Sequence, residues 1–149
     1  MGDVVSQSIE IDAPIDRVWD LVMDPERLGE WVTIHESVFD VPEGDLEKGS
    51  RFGQRMKLKG VPLKVRWLIA ELDAPNVARW EGEAAAGAKA RISYQLREDG
   101  GRTVFDYENE FDMPGGKVGK LAGRAFNAAS GNREAKKSLA RLKEIAESD

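Results

Sequence analysis

Few residues in this chain are suited to chemistry, and the first is its single histidine, His35, in the stretch WVTIHESVFDV (31–41). An imidazole titrates near neutrality, which suits a general acid or base. The same residue reads equally as a polar wall position or a solvated strand position, because no orienting partner stands beside it in the sequence. A second set, Gln54, Tyr94, Tyr107 and Asn109, falls among alternating apolar positions. A buried polar atom without a partner costs about 1–3 kcal/mol, so these groups either satisfy one another or orient a ligand in a greasy pocket. Asn109 stands out, since asparagine is depleted in strands. Trp31, Phe52, Met56, Trp67, Trp80 and Phe105 could line such a pocket or simply fill a core. Leu121 and Phe126, in the last helical segment, complete the candidate ligand contacts.

Other constellations are weaker. Asp106, Glu108, Glu110 and Asp112 alternate in a row that invites a calcium site or a carboxylate pair. The row falls on the wetter side of its strand, and Lys89, Arg91, Lys64 and Arg66 offer cross-strand partners, so a charge-paired surface is the favoured reading. The run from Gly115 to Leu121 brings a phosphate-binding loop to mind. It lacks glycine at Pro114 and a hydroxyl at Leu121, and no parallel βαβ unit surrounds it. Its glycines read instead as a hinge at a cavity mouth.

Composition removes further classes. With no cysteine and one histidine, thiolate chemistry and ordinary zinc sites drop out, and neither a metal nor a cofactor is expected. A formal net charge of -5 argues against a non-specific nucleic-acid binder, although Lys57, Lys59, Lys64 and Arg66 cluster. No apolar run approaches the roughly 18 residues of a membrane span, and the start lacks the order of a secretory leader, so a cytoplasmic protein is expected. The first six residues, Met1 to Ser6, fit a loose myristoylation template but lead directly into a strand.

These residues must be held by the surrounding elements. Residues 4–11 alternate as a strand, and Ile15, Val18, Trp19 and Val22 mark one face of a short helix over 14–23. Asp24-Pro25 ends it, and a second short helix over 25–30 delivers Trp31. Six strands follow to residue 113, the clearest hairpin turning at Asp99-Gly100-Gly101. Their alternation groups Phe52, Gln54, Met56 and Leu58, then Leu63, Val65, Trp67 and Ile69, then Phe105, Tyr107, Asn109 and Phe111 on one buried face. Trp31, Thr33, His35, Ser37 and Phe39 share one face of the first of the six.

Apolar steps of three and four then predict one helix over 117–147, on the order of 45 Å long, with Ser130-Gly131-Asn132 loosening its middle. The expected architecture is a single α+β domain over residues 1–149. A curved seven-stranded antiparallel sheet carries two short helices after strand 1, and one long C-terminal helix crosses its concave face. One helix cannot fill that concavity, so a cavity for an apolar ligand is expected.

Taken in order, several motifs resemble the Bet v 1/START-like superfamily, in its bacterial branch of polyketide cyclase/dehydrase-like and lipid-transport proteins. They are Ile11-Asp12-Ala13-Pro14, Val18-Trp19-Asp20-Leu21, Asp24-Pro25-Glu26 leading to Trp31, and Leu46-Glu47-Lys48-Gly49. The likeness runs over essentially the whole chain and implies the helix-grip fold. Trp31 to His35 and Glu47-Lys48-Gly49 resemble an actinobacterial subgroup, some of whose members are labelled toxins of toxin–antitoxin pairs. The resemblance implies binding or transport of a hydrophobic small molecule, such as a lipid or polyketide-like compound, or its cyclisation or dehydration. A toxin-like or regulatory protein acting through its surface is the alternative. No nucleophile-plus-base set of the hydrolase kind is present, so binding is favoured over catalysis.

Overall fold

The computed structural model describes residues 3–112 and 128–148. Strand β1 (Asp3–Ile11) leads into α1 (Ile15–Val22), a 3-10 turn (Pro25–Arg27) and α2 (Leu28–Trp31). Six strands follow: β2 (His35–Phe39), β3 (Arg51–Leu58), β4 (Val61–Asp73), β5 (Val77–Ala84), β6 (Lys89–Asp99) and β7 (Arg102–Asp112). The last helix, α3, spans Ala128–Glu147. Leu121, Phe126 and the expected glycine hinge at 115–119 lie outside the described residues.

Local chemistry accounts for the elements. Val18, Leu21 and Val22 bury one side of α1, and Pro14 stands just before it, where a missing amide costs nothing. The Asp24 carboxylate accepts from the Glu26 amide and caps the 3-10 turn. Between β6 and β7, Asp99 pairs with Arg102 across a two-residue turn. Gly100 and Gly101 both take positive φ there, +60° and +85°, as a hairpin of this hand requires.

The strands form one antiparallel sheet in the order β1-β7-β6-β5-β4-β3-β2, curled so that its apolar face closes around the core. Alternation assigned that face well: β3 buries Phe52, Gln54, Met56 and Leu58, and β4 buries Val65, Trp67 and Ile69. Helix α3 packs on β1 and against α1 and α2. It runs unbroken through Ser130, Gly131 and Asn132 rather than loosening there. Gly131 has a packing reason instead, because a Cβ at that position would stand 2.5 Å from Cγ2 of Val5. The Gln7 amide donates to Asn132 Oδ1 at 2.9 Å and ties the two elements laterally.

Two expectations about the strands fail. Trp31 belongs to α2, and β2 is only five residues long. A bulge opposite Met56 and Arg55 interrupts β2 between His35 and Ser37, so period two does not run through it. The single face expected for Trp31, Thr33, His35, Ser37 and Phe39 therefore does not exist. His35 reaches the Gln54 side, whereas the Phe39 ring lies over Gly53 among Arg55, Lys64 and Arg66, 4.4–5.2 Å from its centroid. The partners expected for the acidic row of β7 also change. Strands β5 and β6 separate β4 from β7, which removes Lys64 and Arg66, and Arg91 on β6 pairs with Glu110 at 3.7 Å.

Candidate functional site

The concave face of the sheet is occupied mainly by rings. Trp31, Phe52, Trp67, Trp80, Tyr94 and Phe105 are each about 1% exposed or less. They and Tyr107 meet edge-on or tilted, with centroids 5.2–6.4 Å apart. This packing fills more of the concavity than a count of covering helices predicts. What remains is a cleft between the sheet, α2 and α3 with about 60 Å³ of free volume. An apolar cavity of roughly 150 Å³ is known to take benzene, so a larger guest requires the cleft to widen.

Eight of the expected ligand contacts line this cleft. Gln54, Met56, Trp67 and Trp80 come from β3, β4 and β5, Tyr94, Tyr107 and Asn109 from β6 and β7, and Trp31 from α2. Phe52 and Phe105 stand behind them as ring packing rather than lining. Sequence reasoning missed the wall supplied by α3: Gly131, Glu134, Ala135, Ser138 and Leu139. Their spacing of three, four, seven and eight residues from Gly131 is one helical face. A search for apolar residues alone overlooks it, because three of the five are glycine, glutamate and serine. At the rim the Thr33 hydroxyl donates to Glu134 Oε1 at 2.9 Å, and the Thr33 amide donates to Ser138 Oγ at 3.1 Å. These bonds fix the α2–β2 connection to α3.

Beside the cleft runs a polar relay whose direction is determined by its members. The Trp67 indole N–H, which can only donate, meets Gln54 Oε1 at 2.9 Å. The Gln54 amide nitrogen therefore faces His35 Nδ1, also at 2.9 Å, and must donate to it. A neutral imidazole that accepts at Nδ1 carries its proton on Nε2. The Cδ2 edge of the ring rests against Gly29, where an added Cβ would come within 3.3 Å. His35 does not itself line the cleft; it touches the lining through Gln54. Burial holds its pKa below the ordinary 6.5. The basic nitrogen needed for proton abstraction is occupied.

The two tyrosines of the lining stay neutral. Burial pushes the Tyr107 hydroxyl up to about 12, with the Asn109 bond opposing part of the rise. Burial raises Tyr94 well above its ordinary range, with a further contribution from Tyr107. The Asn109 amide nitrogen donates to the Tyr107 oxygen at 2.7 Å. Three buried polar atoms find no partner among the described residues: the indole nitrogens of Trp31 and Trp80, and Oδ1 of Asn109. All three belong to residues that line the cleft. No group of three or more histidines, aspartates and glutamates that could hold a metal occurs among the described residues.

A seven-stranded curled sheet gripping a C-terminal helix over an aromatic-lined cleft defines a protein of the helix-grip type, within the Bet v 1/START-like superfamily. Residues 3–147 match the polyketide cyclase/dehydrase and lipid transport family, and the chain belongs to it. Zhui aromatase/cyclase from Streptomyces sp. R1128 has a similar structure, with a TM-score of 0.77 and 15% identity, covering 99% of this chain and 94% of that one. Ara h 8.0201 follows the same fold with a TM-score of 0.66 and 11% identity, covering all of both chains. Toxin Rv0910 of Mycobacterium tuberculosis is 26% identical over 126 residues, 83% of this chain and 88% of that protein. Family and architecture together support a role in binding hydrophobic ligands or in cyclisation.

Proposed function

We propose that the cleft binds a hydrophobic small molecule, such as a lipid or polyketide-like compound, and carries it rather than transforming it. The observation behind this reading is the Trp67–Gln54–His35 relay, which engages the only imidazole at its accepting nitrogen. With both tyrosine hydroxyls held far above neutrality, the lining offers oriented hydrogen bonds but no poised acid–base pair. If turnover does occur, cyclisation or dehydration guided by shape is the class that family membership favours. The low net charge and the absence of cysteine fit a cytoplasmic carrier.

The test is native mass spectrometry of the protein purified from its own host, paired with the cleft-filling variant Ala135→Phe. Ala135 lines the cleft and is 8% exposed. The reading expects a stoichiometric apolar compound on the wild type, and its loss from a variant with an unchanged circular dichroism spectrum. A compound retained in full by Ala135→Phe would place binding elsewhere and refute it.

A second reading, surface action by a toxin-like protein, is favoured by the small free volume of the cleft and by the likeness to Toxin Rv0910. Growth arrest on expression that persists in Ala135→Phe, and that the product of an adjacent gene relieves, would support it over the carrier.

A further inference from the structure

The three unpartnered polar atoms are not scattered. Trp31 and Trp80 are each 1% exposed and Asn109 is 8% exposed, so water reaches none of them freely. The same ring cluster satisfies Trp67 through Gln54 and uses phenylalanine at positions 52 and 105, where no polar atom needs a partner. Indoles at 31 and 80 therefore carry two N–H donors that no described residue uses, both closed off from the free volume until the cleft widens. Trp80 pairs in register with Ile92, and Ile92 with Asn109, so Trp80 and Asn109 flank one rung of the buried face. Two strand spacings separate their backbones by roughly 10 Å, a span that an intervening guest can bridge. Trp31 completes the ring from α2, with its centroid 6.2 Å from Tyr94, which in turn lies 5.3 Å from Trp80.

The chemistry of these atoms constrains what fits. Two donors and one acceptor match a hydroxyl group, whose oxygen accepts from an indole and whose proton reaches a carboxamide oxygen. A carbonyl would satisfy the indoles and leave Asn109 Oδ1 bare. Among the described residues the lining contains no lysine or arginine, and its one charged member is Glu134, an acid. Against this described lining a carboxylate or phosphate guest would be buried without a counter-charge and beside a like charge, which is unfavourable.

We infer that the cleft selects an uncharged, hydroxylated apolar compound, held by the indole N–H groups of Trp31 and Trp80 and the amide oxygen of Asn109. The assignment rests on the reading of the cleft as a ligand site and specifies its guest. It excludes free fatty acids and phosphorylated lipids as guests.

Isothermal titration calorimetry at pH 7.5 with three molecules of one skeleton tests it: 2-naphthol, naphthalene and 2-naphthoate. The wild type is expected to bind 2-naphthol at least about tenfold more tightly than naphthalene, the worth of one satisfied buried hydrogen bond. It is expected to show no heat with 2-naphthoate. In Trp80→Phe, and separately in Asn109→Leu, the ratio of 2-naphthol to naphthalene affinity should shrink to within about threefold, because each change removes a polar partner of the hydroxyl, and the ratio cancels any change in apolar contact common to both guests. Two single variants guard against one of them failing to fold. Equal affinity for naphthalene and 2-naphthol in the wild type would mean that trapped water serves these atoms, and would overturn the inference while leaving the carrier reading intact. Tightest binding of 2-naphthoate would overturn it as well. Absence of heat with all three in a folded wild type would overturn both readings together.

Discussion

Gln54 is the hinge of the polar relay, and its replacement by leucine tests the relay quantitatively. The substitution removes two 2.9 Å hydrogen bonds while roughly preserving volume. Each such bond contributes about 0.5–1.5 kcal/mol net. The costs on the two sides differ. Trp67 is 1% exposed, so its indole N–H is left without any acceptor at a penalty of about 1–3 kcal/mol. His35 is only half-buried, so water replaces the amide at Nδ1 with little loss. The added apolar surface of leucine returns about 1 kcal/mol. With the His35 bond at the lower end of its range, about 0.5 kcal/mol, the balance is a loss of about 0.5–2.5 kcal/mol, or roughly 1–10 °C in Tm for a domain of this size.

Trp67→Phe breaks the same relay from the other end and strands Gln54 Oε1. Combining the two changes removes both partners, so the double variant should lose less than the sum of the singles by about 1–2 kcal/mol. Urea unfolding of the four proteins gives the cycle. A Gln54→Leu protein as stable as the wild type, or additivity within about 0.5 kcal/mol, would show that the relay is not a coupled unit.

Three further outcomes follow from the same geometry. At pH 7.5 the nitrogen resonances of His35 should report protonated Nε2 and bare Nδ1. Its depressed pKa means the unfolded chain binds the extra proton first, so this contribution to stability is complete above about pH 6.5 and is lost as pH falls toward the lower folded value; a His35→Asn protein should lose that slope, and an unchanged slope would refute the assignment. Gly53→Ala places a Cβ 2.0 Å from Cζ of Phe39, so it should expel that ring and cost about 1–3 kcal/mol, most of it recovered in Gly53→Ala/Phe39→Ala; no recovery would mean the strain lies elsewhere. The chain has only two tyrosines, Tyr94 fully buried and Tyr107 partly so, and both are shifted upward, so the ultraviolet phenolate band should stay absent at pH 10.5 in the native state and appear with unfolding; a native titration near pH 10 would contradict the upward shift.

The sheet was legible because its signal is local and repeated. Each of β3 to β7 alternates over eight or more residues, and the glycine turn between β6 and β7 is specified by its own two residues. The site was legible only in part. Gln54, Tyr107 and Asn109 were visible as polar residues breaking an apolar row, and they do line the cleft. The face of β2 was not readable, since a bulge in a five-residue strand leaves no period to detect. Nor could sequence show that the Gln54 partner is His35, because that contact joins two strands 19 residues apart across the bulge. The α3 wall was present as a helical spacing but was composed of residues that a search for hydrophobic stripes discards. The narrowness of the cleft was beyond reach for another reason: it depends on how rings from six elements interlock, not on any one of them.

The contact of Gly131 with Val5 has a consequence for how the chain comes together. Strand β1 finds its sheet partner in β7, Asp3 opposite Phe111 and Ile11 opposite Thr103, and its cover in α3. Strand β1 therefore lacks its sheet partner until roughly a hundred residues more have been made. Pairings this distant in sequence carry a high loop-closure cost and slow the search for the native state. The meander from β3 to β7 can zip neighbour to neighbour, but its open flank at β7 stays unpaired in the meantime. Docking of β1 onto β7 and α3 is thus expected late in folding. In the cell the exposed edge of β7 is the place where a chaperone, or another nascent copy, would have its opportunity.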